Sequence, residues 1–140
     1  MPSTVRDIIG LLSRLSLALV LFAHGYQKMF TFGMDAAGQS FAEMGVPAPE
    51  LAAWVATLIE LIGAIFIALG LFQTVVGTLV ALNLLGAVFL VHISNGVFVS
   101  DGGYELALII AALAAMIAAF GSGRFAFDHV ISKNRNTSTK

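Results

Sequence analysis

Among the polar side chains that interrupt this apolar sequence, Arg14, His24, Gln27, Lys28, Glu60, Asn83, His92 and Glu105 are the ones that could do chemistry. The stretch LVLFAHGYQKMF, residues 19–30, sets His24, Gln27 and Lys28 within about one and a half helical turns at the end of an apolar run. An ionised group near a bilayer centre costs at least about 2.5–3.5 kcal/mol, so each such group calls for a partner, water or a function. Imidazole and ammonium groups donate hydrogen bonds to a carbonyl, and a carboxylate or second imidazole can pass protons. His24, Lys28, His92 and Glu105 therefore form a candidate binding set for a quinone-like lipophilic molecule. His24 with His92 would also suffice for a b-type haem, but two histidines at one depth arise readily by chance, and haem is not the expected cofactor. Arg14 and Glu60 are a candidate buried pair. No metal site is expected, and nothing identifies a catalytic residue. Each reading has a plainer counterpart: a register-fixing Arg14–Glu60 ion pair, a satisfied interior His24, a Lys28 that snorkels to the interface, and an Asn83 that bonds across helices.

These groups are positioned by four apolar runs, placed at about 8–30, 50–71, 74–93 and 104–121, each near the roughly 20 residues needed to cross hydrocarbon. Of the 140 residues, 59% are hydrophobic and 11% charged, with a mean hydropathy of +0.95. Soluble domains carry about 25% charged residues. The expected fold is all-α, an integral membrane four-helix bundle, with one domain over residues 1–131 and a polar cytoplasmic tail at 132–140. Between the first two spans, TFGMDAAGQSFAEMGVPAP offers Phe41 and Met44 to a short amphipathic helix ended by Gly45, Pro47 and Pro49. Arg14 interrupts the first apolar run, so a cleaved leader is not expected. A net charge of −1 argues against nucleic acid, and the lack of cysteine excludes iron–sulfur ligation and thiol chemistry.

Arg6, Arg124, Lys133, Arg135 and Lys140 fall on the side of the termini, while Asp35, Glu43, Glu50 and Asp101 collect on the other. The positive-inside rule then predicts cytoplasmic termini. Tyr26, Trp54 and Tyr104 fall near the outer ends of their spans, as interfacial aromatics do. His24, Lys28, His92 and Glu105 converge on the outer half. Spacing of seven joins Arg14, Leu21 and Lys28, with Leu17 and His24 interleaved, so the stripe is expected to face the bundle interior. Ala111, Ala115 and Ala119, with Ala114 and Ala118 beside them, and Gly63, Gly70 and Gly77 elsewhere, are small enough for close helix approach.

Over about residues 10–128 the sequence resembles the DoxX family of small four-span bacterial membrane proteins. The resemblance rests on LVLFAHGYQKMF, on GVPAPELAAWVATLIELIGAIFIALGLF with its central Glu60, and on GGYELALIIAALAAMIAAFGSGRFAFD with its Gly-x-Gly-Arg-x-x-x-Asp finish. Ser122 departs from the proline often found at that exit. The resemblance implies a bacterial inner-membrane location and the shared polar positions His24, Lys28, Glu60 and Glu105. It also implies a redox-associated role, since relatives include small subunits of a thiosulfate:quinone oxidoreductase. The sequence has no dinucleotide-binding Gly-rich turn, so electrons would come from a membrane or soluble oxidoreductase partner. The bilayer and further copies of the chain are the other expected partners. An assembly or stress-response factor without catalysis, and a small-molecule permease built on Arg14–Glu60, are the alternatives.

Overall fold

The computed structural model describes residues 2–121, 123–129 and 131, so the expected tail at 132–140 lies outside the described residues. All regular structure among them is helical: α1 (Ser3–Tyr26), α2 (Met34–Glu43), α3 (Pro49–Leu69), α4 (Gln73–Ala87) and α5 (Glu105–Phe120). α1 continues without a break into a π-helical turn, Gln27–Phe32, and α4 into another, Val88–His92, followed by a 3₁₀ turn to Asn95. Among the described residues, three continuous helices are long and apolar enough to cross a membrane: Ser3–Phe32, Pro49–Leu69 and Gln73–Asn95. α5 is apolar but has only 16 residues, about 24 Å, against a hydrocarbon core of about 30 Å. The first helix starts earlier than its apolar run predicts, because Ser3–Asp7 are polar enough to escape a hydropathy criterion yet still helical.

α2 is the short helix expected between the first two spans. It buries Ala37 and Gly38 and lies on the start of α3, where Gly38 meets Glu50. α1 runs antiparallel to α3, α3 to α4 and α4 to α5, and α5 closes back against α1. Small residues set the closest approaches. A Cβ on Gly77 would lie 2.9 Å from the Ala114 carbonyl, and one on Gly63 would lie 3.1 Å from Val80. α5 presents Ala107, Ala111 and Ala114 inward, whereas Ala115 and Ala119 are exposed. Their four-residue spacing drifts off the packed face, as it must on a helix of 3.6 residues per turn. The core between the helices is apolar, centred on Leu17, Leu21, Ile67 and Val80. Large aliphatic and aromatic side chains such as Leu19, Ile109 and Phe120 point outward.

The end of the bundle that carries both termini is held by a clasp. α3 ends at Gly70 (φ +74) with the Leu71 N–H donating to Phe66 and the Gly70 N–H to Ile67, a Schellman-type stop. Just after it, Asp128 caps α4, since the Phe72 and Gln73 N–H groups donate to its two carboxylate oxygens at 2.9 and 2.8 Å. Arg14 donates from Nη2 to the Phe125 carbonyl at 3.1 Å, and buried Asp7 accepts from the Arg124 N–H at 3.3 Å. Residues 123–128 are thus a strap tied to α1 and to the α3–α4 corner. Asp128→Ala removes both caps and is expected to cost about 0.5–2 kcal/mol. Asp128→Asn, which keeps one acceptor, should fall between the two in thermal unfolding.

Candidate functional site

The packed face of α1 carries Arg14, Leu17, Leu21 and Gly25, and Lys28 continues it, half-buried, in the π-helical turn. His24 departs from the stripe: it is exposed, about 100° round the helix from Gly25. Gly25 takes the inward position because α3 comes so close that a Cβ there would lie 2.7 Å from Leu61 Cγ.

Lys28 Nζ makes an ion pair and hydrogen bond with Glu60 Oε2 across the α1–α3 seam. The two side chains are 21% and 9% exposed. Side chains on a helix lean toward its N-terminus, so the Lys28 stem runs back along α1 into the bundle instead of snorkelling outward. Glu60 therefore pairs with Lys28 and not with Arg14. Arg14 sits beside Gly70 and Ala126 in the clasp, about 15 Å along α3 from Glu60 at 1.5 Å per residue. One turn before Glu60 on the same helix face lies Thr57, fully buried, whose Oγ1 has no hydrogen-bond partner among the described residues. A threonine inside an apolar run gives no signal in sequence, and it was not among the expected site residues.

His92 and Glu105 serve the loop between them. Gly102 accepts hydrogen bonds from His92 Nδ1 at 2.7 Å and from Asn95 Nδ2 at 3.3 Å. With a carbonyl as acceptor, Nδ1 is the donor. Glu105 Oε1 accepts from the Val99 N–H at 2.8 Å. Backbone bonds complete the loop: the N–H groups of Gly103, Tyr104 and Glu105 donate to Phe98, Gly96 and Val97 at 2.8, 3.1 and 2.9 Å. The four residues expected to converge are thus divided. Lys28 is tied to Glu60, His92 and Glu105 are tied to the loop, and His24 makes no hydrogen bond among the described residues. Asn83, expected to bond across helices, is half-buried and likewise makes none among them. No group of three His, Asp or Glu side chains among the described residues could hold a metal ion.

His24 instead lines an open groove of about 490 Å³ with Phe22, Ala23, Tyr26, Gln27 and Thr31. At 100° per residue its centre, near Ala23 and Gln27, lies on the opposite side of α1 from the packed stripe. Ala23 makes the hollow, and the rings of Phe22 and Tyr26, 6.1 Å apart, wall one side. Lys28 lies only about 40° round the helix from His24, so the groove and the buried pair share one turn of α1. π-helical turns such as Gln27–Phe32 are frequent at functional positions.

A bundle that packs through glycine and alanine, turns its large apolar side chains outward and shelters an ion pair inside is a multi-pass integral membrane protein. The chain belongs to the DoxX family, whose model matches residues 9–93. It is 31% identical over 129 residues to "Putative oxidoreductase CatD" of Bacillus subtilis (strain 168), covering 92% of this chain and 91% of that one. It is 33% identical over 87 residues to "Inner membrane protein YphA" of Escherichia coli (strain K12), covering 62% of this chain and 61% of that one. No solved structure matches it.

Proposed function

We propose that the protein is a redox-associated subunit of the bacterial inner membrane, with both termini cytoplasmic, that binds a quinone-like lipophilic molecule in the groove of α1. The observation that carries this reading is that His24 and Gln27, two hydrogen-bonding side chains, line an open concave surface away from the packed face of α1, together with Phe22 and Tyr26. Lipid cannot satisfy such groups. A planar molecule with carbonyl oxygens arriving laterally through the bilayer can, and aromatic rings offer it apolar stacking surfaces. Reduction of a quinone to its quinol takes two protons with two electrons. His24 would donate to a carbonyl oxygen at the rim, and the Lys28–Glu60 pair holds exchangeable protons on the same turn. Electrons come from a partner. The name of the Bacillus relative supports an oxidoreductase setting, that of the Escherichia relative an inner-membrane one, and the Lys and Arg distribution supports the orientation.

Purified protein in lipid nanodiscs should bind a short-chain ubiquinone or menaquinone analogue saturably by calorimetry. His24→Ala and Gln27→Leu should each weaken binding up to about tenfold, the effect of one hydrogen bond of about 1.5 kcal/mol. Absence of saturable binding to the unmutated protein would rule the reading out. A second reading, a non-catalytic assembly or stress-response factor, is favoured by the structural employment of His92, Glu105 and Arg14. It expects His24→Ala, and the double substitution Lys28→Met/Glu60→Met, to leave the cellular phenotype intact while the protein still inserts.

A further inference from the structure

The loop between α4 and α5 carries Val97, Phe98 and Val99 on its surface, and Phe98 is 65% exposed. In an aqueous loop such a run would be an unexplained apolar patch. Its depth explains it. Gly77 sits against Ala114 and Ala118, and α4 and α5 are antiparallel, so Glu105 comes level with about Val88. The apolar helix that α4 begins runs on to Asn95, about 10 Å further at 1.5 Å per residue. The loop therefore lies alongside the last turns of a membrane span, not beyond them, and occupies the height that the short α5 leaves open.

A second observation is independent of depth. Non-helical backbone is tolerated at membrane level only where its polar groups are satisfied internally. Here the N–H groups of Gly103, Tyr104 and Glu105 are bonded within the loop, the Val99 N–H is taken by Glu105, and the Gly102 carbonyl is taken by His92 and Asn95. The Val97 and Phe98 N–H groups make no bond among the described residues, which places this edge at the hydrated headgroup boundary and not deeper. The turn is closed so tightly that a Cβ on Gly103 would lie 2.5 Å from the Val97 carbonyl carbon. Asp101 stays exposed at the other edge.

We infer that this loop is a lipid-contacting anchor: Val97, Phe98 and Val99 insert into the boundary between headgroups and acyl chains, and His92 and Glu105 are the residues that make its backbone fit to be there. The partner is the bilayer itself. The chain has no cysteine, so Phe98→Cys and Asp101→Cys each give a single thiol at an exposed position that leaves the core untouched. In nanodiscs, D101C should react readily with a charged, water-soluble maleimide, whereas F98C should react with it at a small fraction of that rate yet label fully with a lipid-soluble maleimide. In a Trp54→Phe background, emission of the Phe98→Trp variant should be blue-shifted and strongly quenched by lipids brominated high on the acyl chain. Equal reaction of F98C and D101C with the charged reagent would overturn the inference. So would resistance of F98C to both reagents together with no quenching by brominated lipid, which would place the loop against protein, such as a second copy of the chain.

Discussion

Replacing Lys28 with Met is expected to destabilise the protein by about 3–5 kcal/mol, the usual result of removing one partner from a buried ion pair. Glu60 is then left with its carboxylate facing an apolar seam. The companion experiment decides what the pair is for. In Lys28→Met/Glu60→Met both charges are gone, and replacing a buried pair with apolar groups is often neutral or stabilising by about 1–4 kcal/mol. The double variant should therefore recover most of the stability lost by Lys28→Met, as read by thermal unfolding in detergent or nanodiscs. A double variant that is as unstable as the single one would show that the ion pair is not the interaction being lost. Quinone-analogue binding and reduction by the native partner, measured on the stable double variant, then separate the two functional readings. Retained binding with lost reduction marks the pair as the proton source, and full retention of both marks it as structural.

Gly70→Ala is the other substitution with a large expected effect, and here two causes can be separated. The residue is held at φ +74, where a side chain costs about 1–2 kcal/mol. The added Cβ would also lie 2.7 Å from Ala126 Cα and 2.8 Å from Ala126 Cβ, with the Arg14 guanidinium beside it, and overpacking of that kind costs about 1–3 kcal/mol more. The total expected loss is about 2–5 kcal/mol by the sum of those two effects. Adding Ala126→Gly removes the contact to that methyl group but leaves the backbone conformation, the strap's Cα and Arg14 in place. Partial recovery in equilibrium unfolding is expected, with at least about 1–2 kcal/mol still missing. Full recovery would show that the left-handed conformation is not imposed there.

Much of the architecture was legible because lipid makes hydropathy a direct readout of position. The apolar runs, the short helix over residues 34–43 and the small-residue contacts at Gly63, Gly77 and Ala114 all follow from composition and spacing. The polar groups were harder, because a stripe on a helix fixes direction only to within a residue or so. Arg14, Leu21 and Lys28 share the packed face as expected, but the inward position between them belongs to Gly25 and not to His24, a choice made by the nearness of Leu61 on α3. Depth alone also misjudged partners. Arg14 bonds a carbonyl 111 residues away, in a strap that no local pattern places, and so could not be paired by counting turns. His92 and Glu105 do share one neighbourhood, but their nearest unsatisfied groups are the loop's own backbone, which sequence patterns do not display.

The strap carries a consequence for how the protein is made. Arg14 and Asp7 are synthesised more than a hundred residues before Phe125, Arg124 and Asp128, which engage them and the α3–α4 corner. Chains grow at about 5–20 residues per second, so these early groups wait several seconds for their late partners. Closure of the strap is therefore a later event than synthesis of the helices it joins. The strap can close only once the α3–α4 corner and residues 124–128 have both been synthesised, so its hydrogen bonds cannot guide the insertion of α1.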